Sequence, residues 1–303
     1  MSSPGSSLAR LSSGRAHLES ALVSSIYVLF IYVFQVIFLP RGGLGLSRDV
    51  PQVIKIRLLA VSCATCVSVG VVMYTVFSLS SGETSAPLEV TLELLGLSSV
   101  NSTSRVKPHL ITPLLFLGPL YVHLLSGTLP LMSAWSFQKD FLGVIFSWNG
   151  LRNYIIAPIT EEITYRACIC SILHLAGFGK GFMIFVAPLW FGLAHVHHAY
   201  ENYVRPGRTQ VALRRAIFAS AFQFAYTTLF GWYSSYLFLR TGSIAVPIAS
   251  HIFCNFMGVP QIQWELRSFP AHRTPIMATY LAGIVLFVLT LAPWTTTEGS
   301  VYW

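Results

Sequence analysis

Charged residues are scarce in this chain. Lys and Arg number 19 and Asp and Glu 11 in 303 residues, 10% of the sequence, against a hydrophobic share of 54%. Soluble domains carry about a quarter of their residues as charges. So few charges cannot cover a water-facing surface, which excludes an ordinary soluble globule. The apolar excess and 14% aromatic content exclude disorder, whose composition is the reverse. Acidic residues are the scarcer sign, and the formal net charge is +8. In a soluble chain that balance would suggest nucleic acid. Here basic loops gathered on one face of a bilayer account for it, and no nucleic-acid partner is expected. Cysteine is also sparse: Cys63, Cys66, Cys168, Cys170 and Cys254 all lie in or beside apolar stretches. Cys63 and Cys66 have the spacing of half a zinc site, but no second pair or nearby His completes it. All are read as small buried hydrophobes.

Long apolar runs, by contrast, are plentiful. A membrane-spanning helix needs about 20 predominantly apolar residues, and 21–39, 58–79, 109–131, 180–199, 216–239 and 276–294 qualify. The runs 161–178 and 243–259 are shorter or interrupted by polar groups. The stretch 141–160, with Asn149, Arg152 and Asn153, reads as an amphipathic or re-entrant lead-in. The polar, Ser-rich start is followed by a long apolar run without a small-residue cleavage site, so the first span is expected to be retained. The expected fold is all-α: a polytopic membrane protein of about eight transmembrane helices around a polar cavity open to the cytosol. Its expected divisions are a polar tail (1–20), N-terminal helices (21–140), a core with the chemistry (141–260) and a C-terminal loop, helix and tail (261–303). With the loop after the first span in the cytosol, the cytosolic segments hold about twice as many Lys and Arg as the other side, as the positive-inside rule requires. The glycosylation triplet Asn101-Ser102-Thr103 then falls on the lumenal side.

Ionisable groups inside spans cost about 2.5–3.5 kcal/mol each on insertion scales and usually face a bundle interior or cavity. They concentrate in 161–178, 180–199 and 243–259; the other spans are almost purely apolar and are expected to supply walls. In Glu161-Glu162-Ile163-Thr164-Tyr165-Arg166, Glu162 and Arg166 share a helix face with the acid N-terminal, the better order for a pair. On an α-helix Glu161 points about 140° away from Arg166, so this spacing expects Glu162 neutralised and Glu161 unpaired. Pro158 suits a first helical turn. In Trp190-Phe191-Gly192-Leu193-Ala194-His195, Phe191 and His195 are one turn apart, and Gly192 and Ala194 permit a close helix neighbour. His197 and His198 follow where the span leaves the lipid and receive no role. In His251-Ile252-Phe253-Cys254-Asn255, the first and last residues share a face, with Pro247 one turn earlier expected to kink the helix. Each group alone is also what interhelical hydrogen bonding would use. The orientation favours more, because all three motifs fall in the cytosolic half of the bilayer.

A carboxylate, two imidazoles and an amide suit hydrolysis. Glu161 and His195 would bind and deprotonate a water that attacks a peptide carbonyl, and His251 and Asn255 would donate to the oxyanion. Glu161, His195 and His251 could alternatively hold zinc with an open fourth position, the same residue types serving both chemistries. A transporter or scaffold with buried His and Glu is the non-enzymatic reading.

At these residues the chain resembles the type II CAAX prenyl endopeptidases and, more widely, the intramembrane glutamate proteases and bacteriocin-processing proteins. The family's Glu-Glu-x-x-x-Arg matches Glu161 to Arg166, its Phe-x-x-x-His Phe191 to His195, and its His-x-x-x-Asn His251 to Asn255. The match covers about 141–260, without departure at a catalytic position. The resemblance implies removal of the last three residues (aaX) from farnesylated or geranylgeranylated CaaX proteins, such as small GTPases, with the lipid lying between helices. It implies Glu161 and His195 as catalytic, His251 and Asn255 as transition-state stabilising, and Glu162, Arg166 and Phe191 as supporting. It further implies no metal cofactor and an endoplasmic reticulum membrane location with the site facing the cytosol. An enzyme of the same fold acting on unprenylated peptides is the alternative, and Tyr165 and His198 stay without a role.

Overall fold

The computed structural model describes residues 8–39, 46–80, 87–98, 106–196, 198–204, 207–297 and 299–303. Arg41, Asn101, His197 and Arg205 fall outside them, and so does the side chain of His198. Among the described residues the chain is helical without a named strand; a lone antiparallel bridge joins Leu8 to Ser80. By length and composition three helices can cross a membrane: Ser13–Phe38, Pro51–Leu79 and Pro270–Thr295. Val106–Leu115 and Leu117–Leu125, bent by 72°, make a fourth if they form one span. Their faces are large, apolar and uncovered, as at Val36 (64% exposed), Phe77 (67%) and Leu289 (65%). Such surface suits lipid and would be a liability in water. The chain is an all-α, polytopic membrane protein. The remaining expected spans are shorter or more polar than that test requires: Lys180–Ala194 and Ala245–Met257 are short apolar helices.

The first two helices pack antiparallel. Glu19, just inside the first, pairs with Arg15 at 2.7 Å and accepts from Thr75 near the end of the second at 2.9 Å. Hydroxyls buried between helices are satisfied by their own backbone, Thr65 on the Val61 carbonyl and Ser68 on that of Ala64, both at 2.8 Å. Between the expected spans 58–79 and 109–131 lies a helix, Pro87–Leu94. Its end is tied down by Tyr302, whose hydroxyl donates to the Leu94 carbonyl and contacts Ser171 at 3.1 Å. His174 packs edge-on against the Tyr302 ring at 4.9 Å, which accounts for one polar residue of the spans structurally. Cys168 and Cys170 are buried as expected, but Cys66 is exposed on an apolar helix face and Cys63 and Cys254 are half-buried.

Two local expectations are corrected. The helix bearing Glu161 does not begin near Pro158. Ser147 caps it by accepting from the Gly150 amide at 2.9 Å, and it continues through Trp148–Gly150, Leu151–Ile156, Ala157–Glu162, Ile163–Cys168 and Ile169–Leu175. The segments Leu151–Ile156 and Ile163–Cys168 are π-helical. The first provides wider i→i+5 bonding just ahead of Pro158, which has no amide hydrogen to give. The lead-in and the span are thus one element with Glu161 near its middle. Pro247, for its part, lies in the first turn of Ala245–Met257, where amides have no intrahelical partner, and breaks no bond.

Candidate active site

The two glutamates end the α-helical segment Ala157–Glu162, between the two π-helical ones. Spacing on a regular α-helix separates them, yet both carboxylates meet the same imidazole. His251 Nδ1 lies 2.7 Å from Glu162 Oε1, and His251 Nε2 lies 3.7 Å from Glu161 Oε2. A carboxylate only accepts, so Nδ1 carries a proton and donates it to Glu162. Glu162 is fully buried and holds three partners. Arg166 NH1 is 3.2 Å from its Oε1, the expected i,i+4 pair, and the Ser234 hydroxyl donates a short hydrogen bond to its Oε2. Glu161 is the more open of the two, with 17% side-chain exposure, and it lines a cavity.

Arg166 has no exposed surface. Its guanidinium stacks 4.3 Å from the centroid of Phe191 and 5.6 Å from that of Phe230. Rings on both sides suit a delocalised cation held away from water. Phe191 is the hub of the site: the rings of His195 (4.6 Å), Tyr165 (5.1 Å) and His251 (6.5 Å) also surround it. Its carbonyl accepts from His195 Nδ1 at 2.8 Å. That bond fixes the tautomer of a neutral His195, with the proton on Nδ1 and the basic lone pair on Nε2. Gly192 lets the neighbouring helix in, since a Cβ there would lie 2.7 Å from Thr228 Oγ1 and 2.9 Å from the Phe224 ring. This is the close approach expected of that glycine.

Glu161, His195, His251 and Asn255 all line one cavity of about 530 Å³, together with Phe191 and Tyr165. The three sequence motifs therefore come together. Asn255 is exposed and donates to the Asn153 carbonyl at 2.8 Å. An amide has a second N–H, which that bond leaves for other use. Among the described residues, no three His, Cys, Asp or Glu side chains form a metal-holding group. Glu161, His195 and His251 are thus not gathered in this structure as the zinc set their types allowed.

Some participants gave no readable signal in the sequence. Ser234 and Phe230 belong to Gln210–Thr241, a helix expected to act only as a wall, and Ser234 reaches the buried carboxylate. Hydroxyls in apolar helices ordinarily bond their own backbone, so nothing marked this serine. Tyr27 of the first helix lines the cavity and shares a 2.9 Å hydrogen bond with Thr160, one residue before Glu161. Its ring meets that of Tyr165 at 5.5 Å.

This arrangement can bind a water between a carboxylate and a basic imidazole nitrogen, beside groups that donate to developing negative charge. Comparison with known proteins agrees with it. The family model described as type II CAAX prenyl endopeptidase Rce1-like matches residues 143–257, which contain every residue of the three motifs. A Homo sapiens protein named CAAX prenyl protease 2 is 36% identical over 261 residues, 82% of this chain and 74% of the relative. One from Schizosaccharomyces pombe, named "Probable CAAX prenyl protease 2", is 34% identical over 278 residues, 91% of this chain and 92% of its own. The Arabidopsis thaliana CAAX prenyl protease 2 is 32% identical over 292 residues, covering 89% and 86%. No solved structure matches the chain significantly. Relatives aligned over 74–92% of their own length, and a family match spanning the cavity-lining motifs, lead to one conclusion: this chain belongs to the type II CAAX prenyl endopeptidases.

Proposed function

We propose that this protein is a CAAX prenyl endopeptidase that removes the C-terminal tripeptide from farnesylated or geranylgeranylated CaaX proteins through a water activated by Glu161 and His195. The observation that carries this reading is the joint presence of Glu161, His195, His251 and Asn255 on one cavity within a membrane-embedded bundle. In the proposed reaction, Glu161 takes a proton from the water while His195 Nε2 accepts its second hydrogen bond, and the water oxygen bonds to the scissile carbonyl carbon. His251 Nε2 and Asn255 Nδ2 stabilise the oxyanion. Because Nδ1 of His251 is already committed to Glu162, donation from Nε2 requires the doubly protonated ring, whose charge Glu162 balances. Collapse of the intermediate breaks the C–N bond, and the proton held by Glu161 goes to the departing amine. The prenylcysteine carboxylate and the free tripeptide are the products.

A protease embedded in lipid suits a substrate whose lipid arrives through the bilayer. Small GTPases bearing prenyl groups are the substrates in view. The endoplasmic reticulum membrane with the cavity facing the cytosol is the proposed setting, supported by the basic residues Arg48, Lys55, Arg57 and Arg152 at one end of the bundle. The test is cleavage of a farnesylated CaaX peptide by the purified protein, beside the same peptide without the lipid. Glu161→Gln and His195→Ala should each lower tripeptide release by about 10²-fold or more at undiminished protein levels. Full activity of Glu161→Gln would end the mechanism, and equal cleavage without the lipid would end the substrate assignment.

A further inference from the structure

The cavity has a charged wall that the hydrolytic groups leave unused. Its lining includes three arginines, Arg48, Arg57 and Arg152, while Glu161 is its one carboxylate among the described residues. The three lie at one end of the bundle. Arg57 is in the second turn of Pro51–Leu79, Arg48 just precedes that helix, and Arg152 is near the start of the 148–175 run. The two helix starts are fixed to each other. Arg152 NH1 donates to the Arg48 carbonyl and pairs with Asp49, each at 3.0 Å, and the Lys55 ammonium lies 4.5 Å over the Trp148 ring. Asp49, the partner of Arg152, is 58% exposed. A topological preference for basic cytosolic ends explains which end they occupy. It does not explain why they face the cavity.

We infer that this basic end is a subsite for the free α-carboxylate of the substrate's last residue, and that it measures the distance from chain end to cut bond. The inference rests on the tripeptide-releasing reading above. An extended chain advances about 3.3–3.6 Å per residue, so three residues place the carboxylate about 10 Å from the scissile carbonyl. Glu161 is nine positions beyond Arg152, at most about 13.5 Å along the axis at an α-helical rise of about 1.5 Å per residue and less where Leu151–Ile156 is π-helical. The reach of a guanidinium covers the difference. Asn255, bonded to the carbonyl of Asn153, is held to the Arg152 end of the same helical run. Arginine is also the side chain whose planar donor pair matches a carboxylate.

The experiment compares two farnesylated peptides of identical sequence, one ending in a free acid and one in a carboxamide, on the full-length protein in lipid nanodiscs. The wild type should cleave the acid with a kcat/KM higher by on the order of tenfold to a hundredfold, the loss expected of a charge-assisted contact. In Arg57→Gln and Arg152→Gln the acid-to-amide ratio should fall toward one, and Arg57→Lys should keep most of it. Equal cleavage of acid and amide by the wild type overturns the subsite while leaving the prenyl protease reading intact, and needs no variant to fold. A ratio unchanged in both glutamine variants also overturns it. If neither prenylated peptide is cleaved, the functional reading falls and this subsite with it.

Discussion

Replacing Glu162 by Gln keeps the shape of the side chain and removes one charge, and the surroundings set the cost. Arg166 has 1% side-chain exposure and Glu162 is its one ion-pair partner among the described residues. Its Nε and NH2 are buried without hydrogen bonds, and the Phe191 and Phe230 rings offer only the weaker cation–π attraction. Removing one partner of a buried pair costs about 3–5 kcal/mol, because the remaining charge stays in place uncompensated. The stacked rings contribute about 0.5–2 kcal/mol each and persist in the variant, so they cannot replace the pair. We therefore expect Glu162→Gln to lower the unfolding free energy by about 3–5 kcal/mol, measured by reversible denaturant titration in mixed micelles. Adding Arg166→Met should restore most of it, since apolar replacement of a buried pair is often neutral or stabilising. Glu161→Gln, on the adjacent and more open carboxylate, should stay within about 1 kcal/mol of wild type while losing activity. The reasoning is refuted if Glu162→Gln is as stable as wild type, or if the double variant is no more stable than the single one.

Other outcomes follow from the same geometry. Ser234→Ala deletes the hydroxyl that donates to Glu162 and should cost about 1.5–3 kcal/mol in that titration; a cost equal to that of Glu162→Gln would contradict the ranking. A Cβ at Gly231 would lie 2.6 Å from Pro188 Cβ and 3.2 Å from Arg166 NH2. Gly231→Ala should thus destabilise by about 1–3 kcal/mol and depress peptide cleavage, whereas Gly179→Ala, with nothing within 4 Å, serves as the neutral control. Because the proposed water is activated by side chains alone, prolonged dialysis against a chelator should leave the cleavage rate within about twofold; loss that added zinc restores would show a bound metal instead.

Composition was sufficient to place this chain in a membrane, because a shortage of charge leaves no other solvent for so much apolar surface. It also made the motifs conspicuous: polar groups are costly in spans, so Glu161, Arg166, His195, His251 and Asn255 stood out against an apolar background. Periodicity gave the Glu162–Arg166 pair correctly, since that contact is local. The same reasoning left Glu161 apart from Arg166, as the structure does, but it did not foresee that both glutamates meet one imidazole or that π-helical segments flank them. A break in helical register depends on what packs against the helix, and spacing alone does not carry it. For the same reason Ser234 was invisible in the sequence, 72 residues from the carboxylate it serves. The sequence by itself determined the solvent, the helical class and the residues capable of chemistry, all of which follow from local composition and spacing. Only the tertiary structure decided that one imidazole stands between two neighbouring carboxylates, and that a serine from a distant helix completes the buried pair, because both contacts join residues far apart in the chain.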